Sequence, residues 1–388
     1  MNGFWVNGVF GLWVVGTTFG IARYGYGLFL PQAQETFHIG PILQGTIGSG
    51  SYGTYVIATM IAAYMSHTRG PRLPVLIGLL FAFSGMALVS VAKTAELFAV
   101  GIIVAGASPG FIFPALSDWS IIKGSGNSDR LFSIMNSGTG AGVVLAVPLA
   151  LAVSVDTWQI AWIMFTAITL ALGIVSIFIV PTKKRVLPNN TIKTTHLDLR
   201  YMLIEGAAPL YFCAFIAGLT TAVYWTYSVS AIVSYDSIAN HIQRPELLFW
   251  TVTGLSGLLG ALAGDAVLKL GVITSFKLTI LSICIALALI TFKDGGLTSM
   301  LFSAFIFGAS FIFITGILSV WTMRVFIERP SIGIGYTFLI FTFGAMFGPF
   351  LGGLLISHSG YLLMFSVFST LAFLTALIPS PILYAHSK

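Results

Sequence analysis

Long, uninterrupted apolar runs constrain this chain more than any other feature of its sequence. The runs are about 20 to 27 residues long and recur from end to end, and only 8% of the 388 residues are charged. Soluble domains carry roughly 25% charged residues, so this chain cannot build a water-exposed surface. Only helices and closed barrels can span a lipid bilayer, because the backbone polar groups of other structures would have no partners there. The sequence of a barrel shows short segments of alternating hydrophobicity in place of long apolar runs. The sequence therefore predicts an all-α integral membrane protein.

Twelve such spans can be assigned, in two groups of six. We expect them at 5–31, 42–66, 73–92, 95–122, 131–153, 158–180, 206–233, 246–270, 275–292, 297–323, 332–357 and 361–384. Each is long enough to cross a bilayer as a helix. The longest polar stretch separates the two groups. The expected organisation is an N-terminal six-helix bundle at 1–180, a cytoplasmic linker at 181–205 and a C-terminal six-helix bundle at 206–388.

Lysine and arginine are distributed unevenly between the two sides of the predicted membrane. If the linker is cytoplasmic, 14 of these residues fall on that side and three on the other, namely Lys93, Arg244 and Lys293. This asymmetry follows the positive-inside rule and places both termini in the cytoplasm. It also accounts for the net charge of +6, so no nucleic-acid partner is expected.

The two groups of spans share short sequence patterns in the same order. Spans four and ten both end in Leu-Ser-x-Trp-(Ser/Thr)-x-x-(Lys/Arg), which places Trp119 and Trp321 at equivalent inner positions. Tyr24 in span one and Tyr224 in span seven follow similar residues 200 positions apart. Spans five and eleven both carry glycines at four-residue spacing ahead of a proline. This common order predicts two parallel six-helix repeats, an architecture known among secondary transporters.

Three segments resemble signatures of the major facilitator superfamily. The run 344–353 is similar to its antiporter motif, G-x-x-x-G-P-x-x-G-G, although the run lies in span eleven and the family carries the motif in span five. The loop 63–72 is similar to its G-x-x-x-D-R-x-G-R-R signature, with His67 in place of the aspartate. The run 22–31 is similar to the first helix of the YbfB/YjiJ branch of that superfamily.

The resemblance implies two six-helix bundles that rock around a midplane site, which is alternating access. The branch implies transport in a bacterial inner membrane and names no substrate. Gating roles are implied for residues of the inner loops and of the inner ends of spans four and ten: His67, Arg69, Arg72, Trp119, Asp265, Trp321 and Arg324. Helix packing at the contact between the two halves is expected for Gly138, Gly142, Gly344, Gly348, Pro349 and Gly352, because small residues let helices approach closely in lipid.

Arg23 is a charged residue inside the apolar run of predicted span one, and its position within the membrane has to be explained. A guanidinium in hydrocarbon costs about 3 to 17 kcal/mol, and no carboxylate lies at matching depth in any predicted span. It pairs either with a ligand or, as a structural group, with backbone carbonyls or a buried acid. If a ligand is the partner, the bidentate fork of arginine favours a carboxylate or phosphate. Aromatic residues complete the predicted substrate site around Arg23: Tyr24, Tyr26, Phe113, Tyr224 and Tyr227. Packing between helices is the alternative role for these rings.

Asp118 is the candidate proton carrier, because it lies further inside an apolar run than the other acids near the cytoplasmic face. Salt bridges at helix ends are the alternative role for this group of acids. The expected function is a secondary active transporter for a small organic anion, coupled to protons or a counter-substrate. The alternatives are an efflux pump for amphipathic drugs or lipid-like compounds, and a membrane ligand sensor that does not transport.

Other classes of function lack their sequence signals. The chain has no phosphate-binding loop and no constellation of catalytic side chains, so no enzyme is expected. Its six histidines are scattered over loops and ends, and no metal site or cofactor is expected. The expected partners are a small-molecule substrate, protons and the lipid bilayer, and the chain is expected to be a monomer.

Overall fold

The computed structural model describes residues 2–124, 126–182, 202, 204–235, 243–292, 295–327 and 330–378. Most of the predicted linker at 181–205 lies outside these residues, as do its basic side chains. The described chain is overwhelmingly helical, and the predicted all-α membrane fold is confirmed.

The first half of the chain forms helices at each of its six predicted spans. Span one consists of α1, a π-helical segment and α2. The bounds are α1 Asn2–Val15, the π segment Gly16–Arg23, α2 Gly25–Phe37, α3 Pro41–Arg69, α4 Arg72–Ser90, α5 Ala95–Lys123, α6 Ser128–Asn136, α7 Gly138–Leu151, a 3₁₀ turn Val155–Thr157 and α8 Gln159–Ile179. Local signals set several ends: α2 stops at His38 in the left-handed region (φ 52°), and the Thr94 hydroxyl caps α5 by accepting from the Leu97 N–H.

The second half repeats this arrangement with two differences in continuity. The bounds are α9 Ala207–Val233, α10 Pro245–Ser256, a 3₁₀ segment Gly257–Leu262, α11 Ala263–Leu270, α12 Val272–Thr291, α13 Gly296–Val325 and α14 Pro330–Leu377. The predicted span 246–270 is thus broken by the 3₁₀ segment. The last two predicted spans run together as α14, which is interrupted at Gly360 (φ 75°, ψ −179°). Glycine tolerates this positive φ because it has no Cβ.

Nine helical segments in the described part of the chain are long and apolar enough to cross a membrane. The segment that contains α14 accounts for two predicted spans. The predicted spans 42–66 and 246–270 are not among the nine. For 246–270 the reason is the break between α10 and α11, whereas α3 is unbroken but rich in Gly, Ser and Thr. An unusually polar spanning helix indicates a surface that faces protein or water, since lipid offers polar groups no partner.

The chain divides into two compact units. The first unit is Met1–Ile39 with Gly50–Lys193, and the second is Gly40–Ser49 with Thr194–Lys388. The start of α3 belongs to the second unit because Gly48 lies against Pro349 and the Phe350 N–H donates to the Ser49 hydroxyl at 3.1 Å. This ten-residue segment, which the sequence assigns to the first bundle, is where units and predicted halves differ.

The paired glycines of spans five and eleven pack inside their own halves, not at the contact between halves as expected. A Cβ on Gly138 would meet the Leu12 carbonyl, and one on Gly142 would meet the backbone of Gly16. The second half uses the same device, since a Cβ on Gly344 would meet the Phe215 carbonyl. A Cβ on Gly348 would lie 2.5 Å from the Leu219 carbonyl oxygen. In each half the fifth helix therefore approaches the first at backbone distance, and this crossing needs residues without side chains.

Candidate functional site

A π-helical segment in the middle of span one sets the position of Arg23. In this segment, Gly16–Arg23, the hydrogen bonds reach one residue further than in an α-helix, as shown by the Tyr24 N–H donating to the Phe19 carbonyl at 3.1 Å. Such segments are rare in proteins as a whole, and many of the known ones lie at functional sites. The widened turn lies against α7, where a Cβ on Gly20 would be 2.6 Å from Gly142 Cα. The backbone that carries Arg23 is thus fixed by a tight helix crossing.

The Arg23 guanidinium is enclosed by tyrosine rings, and the residue is 8% exposed. Its Cζ lies 4.1 Å from the centroid of Tyr52 and 4.3 Å from that of Tyr55, with Tyr24 further away at 5.9 Å. Tyr52 and Tyr55 are three residues apart on α3, so both project from one helix face. A desolvated cation over a ring face gains about 2 kcal/mol or more per contact. The rings therefore stabilise a cation that the lipid would reject.

Arg23 keeps unused hydrogen-bonding capacity despite this enclosure. Its Nε is buried and has no hydrogen-bond partner within the described residues. The one ion pair found among them joins Arg244 to Glu246 at 3.1 Å, far along the chain from Arg23. An unsatisfied buried donor costs about 1–3 kcal/mol, and more when it is charged. An anion that reaches the edge of the guanidinium would remove this cost.

A chain of half-buried aromatic rings continues from the arginine along the first unit. Phe19 contacts Tyr55 at a centroid distance of 6.2 Å and Phe113 at 6.3 Å, both edge to face. Phe113 in turn contacts Phe132 at 5.9 Å, also edge to face. The four residues come from the π segment, α3, α5 and α6, and all are half-buried. We refer to Phe19, Tyr55, Phe113 and Phe132 as the aromatic wall.

The structure brings only part of the predicted substrate site together. Tyr24 lies beside Arg23, and Phe113 is part of the aromatic wall, whereas Tyr26 is buried against Phe98 at 6.1 Å. A role for Tyr26 in substrate binding stays a prediction.

Tyr224 and Tyr227 lie in the second unit and are both completely buried. The Tyr224 ring stacks on Phe307 at 3.6 Å and its hydroxyl bonds Ser303 at 2.7 Å. The Tyr227 hydroxyl donates to the Pro349 carbonyl at 2.7 Å. Both tyrosines are packing residues in this structure, and their contact with substrate stays a prediction.

Asp118 is half-buried near the C-terminal end of α5. Its Oδ2 accepts a hydrogen bond of 2.6 Å from the hydroxyl of Ser66, which is itself buried in the last turn of α3. The pair joins α3 to α5 next to the loop that resembles the family signature.

The predicted gating residues fall into three groups. Arg72 donates from Nε to the Val180 carbonyl at 2.7 Å and so binds the end of α8, while Arg69 and Arg324 are exposed. Trp119 and Trp321 are buried in helix contacts, with Trp321 edge to face on Phe276 at 5.4 Å. The side chains of His67 and Asp265 lie outside what the structure describes. Gating roles for all seven stay predictions.

Trp119 also forms a hydrogen bond that its sequence pattern did not indicate. Its Nε1 donates to Asn7 Oδ1 at 2.7 Å, and Asn7 Nδ2 donates to the Gly3 carbonyl at 2.6 Å. Both side chains are buried, and the bond ties α1 to α5 inside an apolar cluster.

Removing this acceptor should destabilise the first unit. The Asn7→Leu variant leaves a buried indole N–H unpaired, which costs about 1–3 kcal/mol and lowers the Tm in detergent. The double variant Asn7→Leu, Trp119→Phe should recover part of that loss, since neither polar group then remains. Equal Tm values for wild type and Asn7→Leu would show that the bond contributes nothing to stability.

Tyr52 and Tyr55 make the closest ring contacts to Arg23 and were not among the predicted site residues. The sequence does contain one indication of them. Two aromatic residues occur at three-residue spacing in α3, a helix that is rich in Gly, Ser and Thr. A polar spanning helix with an aromatic stripe is a reasonable partner for an intramembrane cation. Within the described residues no group of three or more His, Cys, Asp or Glu side chains could hold a metal ion.

Comparisons with known proteins agree with this architecture. The sequence matches the Major Facilitator Superfamily over residues 12–333, which is well over half of the chain. No curated protein matches the sequence. The fold is similar to the crystal structure of the nucleoside transporter NupG, with a TM-score of 0.77, 13% identity, and coverage of 97% of this chain and 98% of the other.

Two further solved structures are similar over nearly their whole length. A variant of the peptide transporter POT has a TM-score of 0.77 at 14% identity and covers 97% of this chain and 93% of its own. A bacterial homologue of the human lysosomal transporter Spinster, in an inward-facing and unoccupied conformation, has a TM-score of 0.75 at 11% identity, with coverage of 99% and 97%. At such identities the likeness shows the fold and leaves the substrate open.

Proposed function

Because this chain belongs to the major facilitator superfamily, we propose that it moves a small organic anion across the membrane by alternating access. It is a multi-pass membrane transport protein and not an enzyme, and the choice of cargo rests on Arg23. The single observation that supports an anion is the buried Arg23 Nε, which has no hydrogen-bond partner among the described residues. Carboxylates suit this fork because they accept two parallel hydrogen bonds from arginine.

We assign the coupling step to protons, with exchange against a counter-substrate as the alternative. Asp118 is the proposed proton carrier, supported by its half-buried position and its 2.6 Å bond from Ser66. The Asp118→Asn variant, which cannot titrate, should lose accumulation driven by a pH gradient while retaining exchange of labelled for unlabelled substrate. Uptake that stays fully pH-driven in this variant would assign the proton to another group.

Counterflow in proteoliposomes tests the transport proposal directly. Purified full-length protein is reconstituted, vesicles are loaded with an unlabelled carboxylate, and entry of the labelled compound is followed. We expect saturable entry that needs both the protein and the internal anion. Export of cationic dyes without carboxylate counterflow would favour an efflux pump for amphipathic compounds. Carboxylate binding without any flux would favour a ligand sensor.

One observation favours the efflux alternative. The second unit contains a dense aromatic cluster in which Trp225 is edge to face with Phe307 and Phe311, at 5.3 and 5.4 Å. Aromatic surface suits amphipathic cations. However, both Trp225 and Phe307 are buried, so this cluster already has its contacts in the structure.

The remaining details of topology and partners belong to the same proposal. We place the chain in a bacterial inner membrane as a monomer with both termini in the cytoplasm, supported by the 14 to 3 distribution of basic residues. We also propose that it belongs to the YbfB/YjiJ branch, supported by the run 22–31. Cysteine accessibility at introduced positions near each end would test the orientation.

A further inference from the structure

We propose that the anion bound at Arg23 is a monocarboxylate attached to an apolar, ring-bearing body. This inference rests on the proposed function, and it names the substrate class for the same site. It follows from three features of the first unit: the guanidinium nitrogen that lacks a hydrogen-bond partner, the aromatic rings that adjoin the guanidinium, and the positions of the other charged residues along the helices.

The Arg23 guanidinium lies close to two tyrosine rings, and its Nε is left without a hydrogen-bond partner in the described residues. The rings of Tyr52 and Tyr55 lie 4.1 and 4.3 Å from Cζ, which is stacking distance. The edge carries Nε, which is buried without a hydrogen-bond partner in the described residues. A planar carboxylate matches the edge of a guanidinium through two parallel bonds. The geometry thus favours a flat anionic head group that lies in the guanidinium plane.

The surface next to this edge is suited to a ring and not to a polar chain. Tyr55 belongs both to the arginine enclosure and to the aromatic wall, so the wall begins where the carboxylate would bind. Phe19, Phe113 and Phe132 are only half-buried. Aromatic rings pair edge to face or offset-stacked and gain about 0.5–1.5 kcal/mol beyond burial, so a ligand ring gains most from this wall.

The charges of the first unit argue against a second ionic group on the ligand. Apart from Arg23, its basic residues in the described helices and loops lie at or near helix ends: Arg69, Arg72, Lys93, Lys123 and Arg130. Its acids lie in the same kind of place: Glu35, Glu96, Asp118, Asp129 and Asp156. Among the described residues of this unit, neither a second cation nor an acid is placed in the middle of a span, so a second charge on the ligand would lack a partner at the depth of Arg23. A single negative charge is therefore the best match.

A ligand series on the purified full-length protein tests the inference. Binding is measured by thermal shift and confirmed by competition in counterflow, with propionate, 3-phenylpropionate, succinate, phenyl phosphate and phenylalanine as probes. We expect 3-phenylpropionate to bind at least tenfold more tightly than propionate, as two ring contacts of about two- to tenfold each would provide. Succinate, phenyl phosphate and phenylalanine should bind more weakly than 3-phenylpropionate by a similar factor.

A variant of the wall separates recognition of the ring from recognition of the charge. Phe113→Ala should weaken 3-phenylpropionate about two- to tenfold and leave propionate unchanged. The matched control is Phe81→Ala, since Phe81 is also half-buried but stacks on Phe111 at 5.3 Å outside the wall.

The outcomes distinguish this inference from the transport proposal. If succinate or phenyl phosphate binds as well as 3-phenylpropionate, or if phenyl adds nothing to propionate, the monocarboxylate class is wrong while the anion transporter stands. If no anion binds at all, both proposals fail. Should Phe113→Ala not fold, the wild-type series alone still decides between these results.

Discussion

Replacing Arg23 with glutamine should lower the affinity for a carboxylate substrate about 10- to 100-fold. The estimate assumes the loss of one or two charged hydrogen bonds, each of about 1.5–3 kcal/mol, with partial compensation by the new amide. The variant should fold with a Tm close to that of the wild type, because the lost ring contacts are offset by the removal of a buried charge for which the described residues show no acid partner. Counterflow rates and thermal shifts with a carboxylate measure the two effects separately.

Arg130→Gln is the matched control for this experiment. Arg130 is also an arginine near an aromatic ring, with Cζ 5.7 Å from Trp5, but it is exposed. Its replacement should leave carboxylate affinity within about twofold of wild type, since exposed charges contribute little. Carboxylate flux that is equal in wild type, Arg23→Gln and Arg130→Gln would rule out Arg23 as the anion site.

Arg23→Lys should restore little of the activity. An ammonium retains the charge but presents no planar fork, and it lacks the flat surface with which a guanidinium packs on the nearby rings of Tyr52 and Tyr55. We expect this variant to lie closer to Arg23→Gln than to wild type in affinity. A lysine variant with wild-type affinity would mean that charge alone selects the substrate.

The second large effect is expected at the crossing between the π segment and α7. Gly142→Ala places a Cβ against the backbone of Gly16, and no side-chain rotation can relieve a clash with backbone. Overpacking typically costs about 1–3 kcal/mol and sometimes more, so the folded yield and the Tm in detergent should both fall. Substrate binding should fall further than stability predicts, because the same crossing holds the turn that carries Arg23.

The control for this crossing is another glycine-to-alanine change in a spanning helix of the same unit. Gly173 lies in α8 and has nothing within 4 Å of its hypothetical Cβ. Gly173→Ala should be neutral or slightly stabilising, because alanine favours the helix over glycine. Similar losses in both variants would show that alanine itself is the problem and that the close approach is unimportant.

The positions of the spans could be predicted well from the sequence, because a spanning helix needs an apolar run of known length. The two exceptions have local causes: α10 and α11 are separated by a 3₁₀ segment, and α14 joins two spans through Gly360. The crossing partners of Gly138 and Gly344 could not be predicted, since four-residue glycine spacing shows that a helix is approached closely and does not identify the neighbour.

The buried cation of the candidate site could be singled out from the sequence, whereas the aromatic residues closest to it could not. Arg23 stood out because its cost in hydrocarbon is large. The tyrosines that compensate this cost come from α3, and only the fold shows that α3 faces span one. Tyr224 was predicted in the site because span seven lines the central cavity in the superfamily that the chain resembles. Yet Val223 occupies the position in the second half that corresponds to Arg23, and it is completely buried. The second half therefore repeats the sequence pattern of the first without repeating its buried cation.

The π-helical turn before Arg23 has a consequence for sequence change in relatives of this chain. Each residue added to or removed from a helix rotates everything beyond it by about 100°. Deleting one residue within Gly16–Arg23 would let an ordinary α-helix form through the middle of span one. The span would remain long enough to insert, but the arginine would leave its tyrosine enclosure. A one-codon deletion could thus change what such a protein accepts without changing its hydropathy profile.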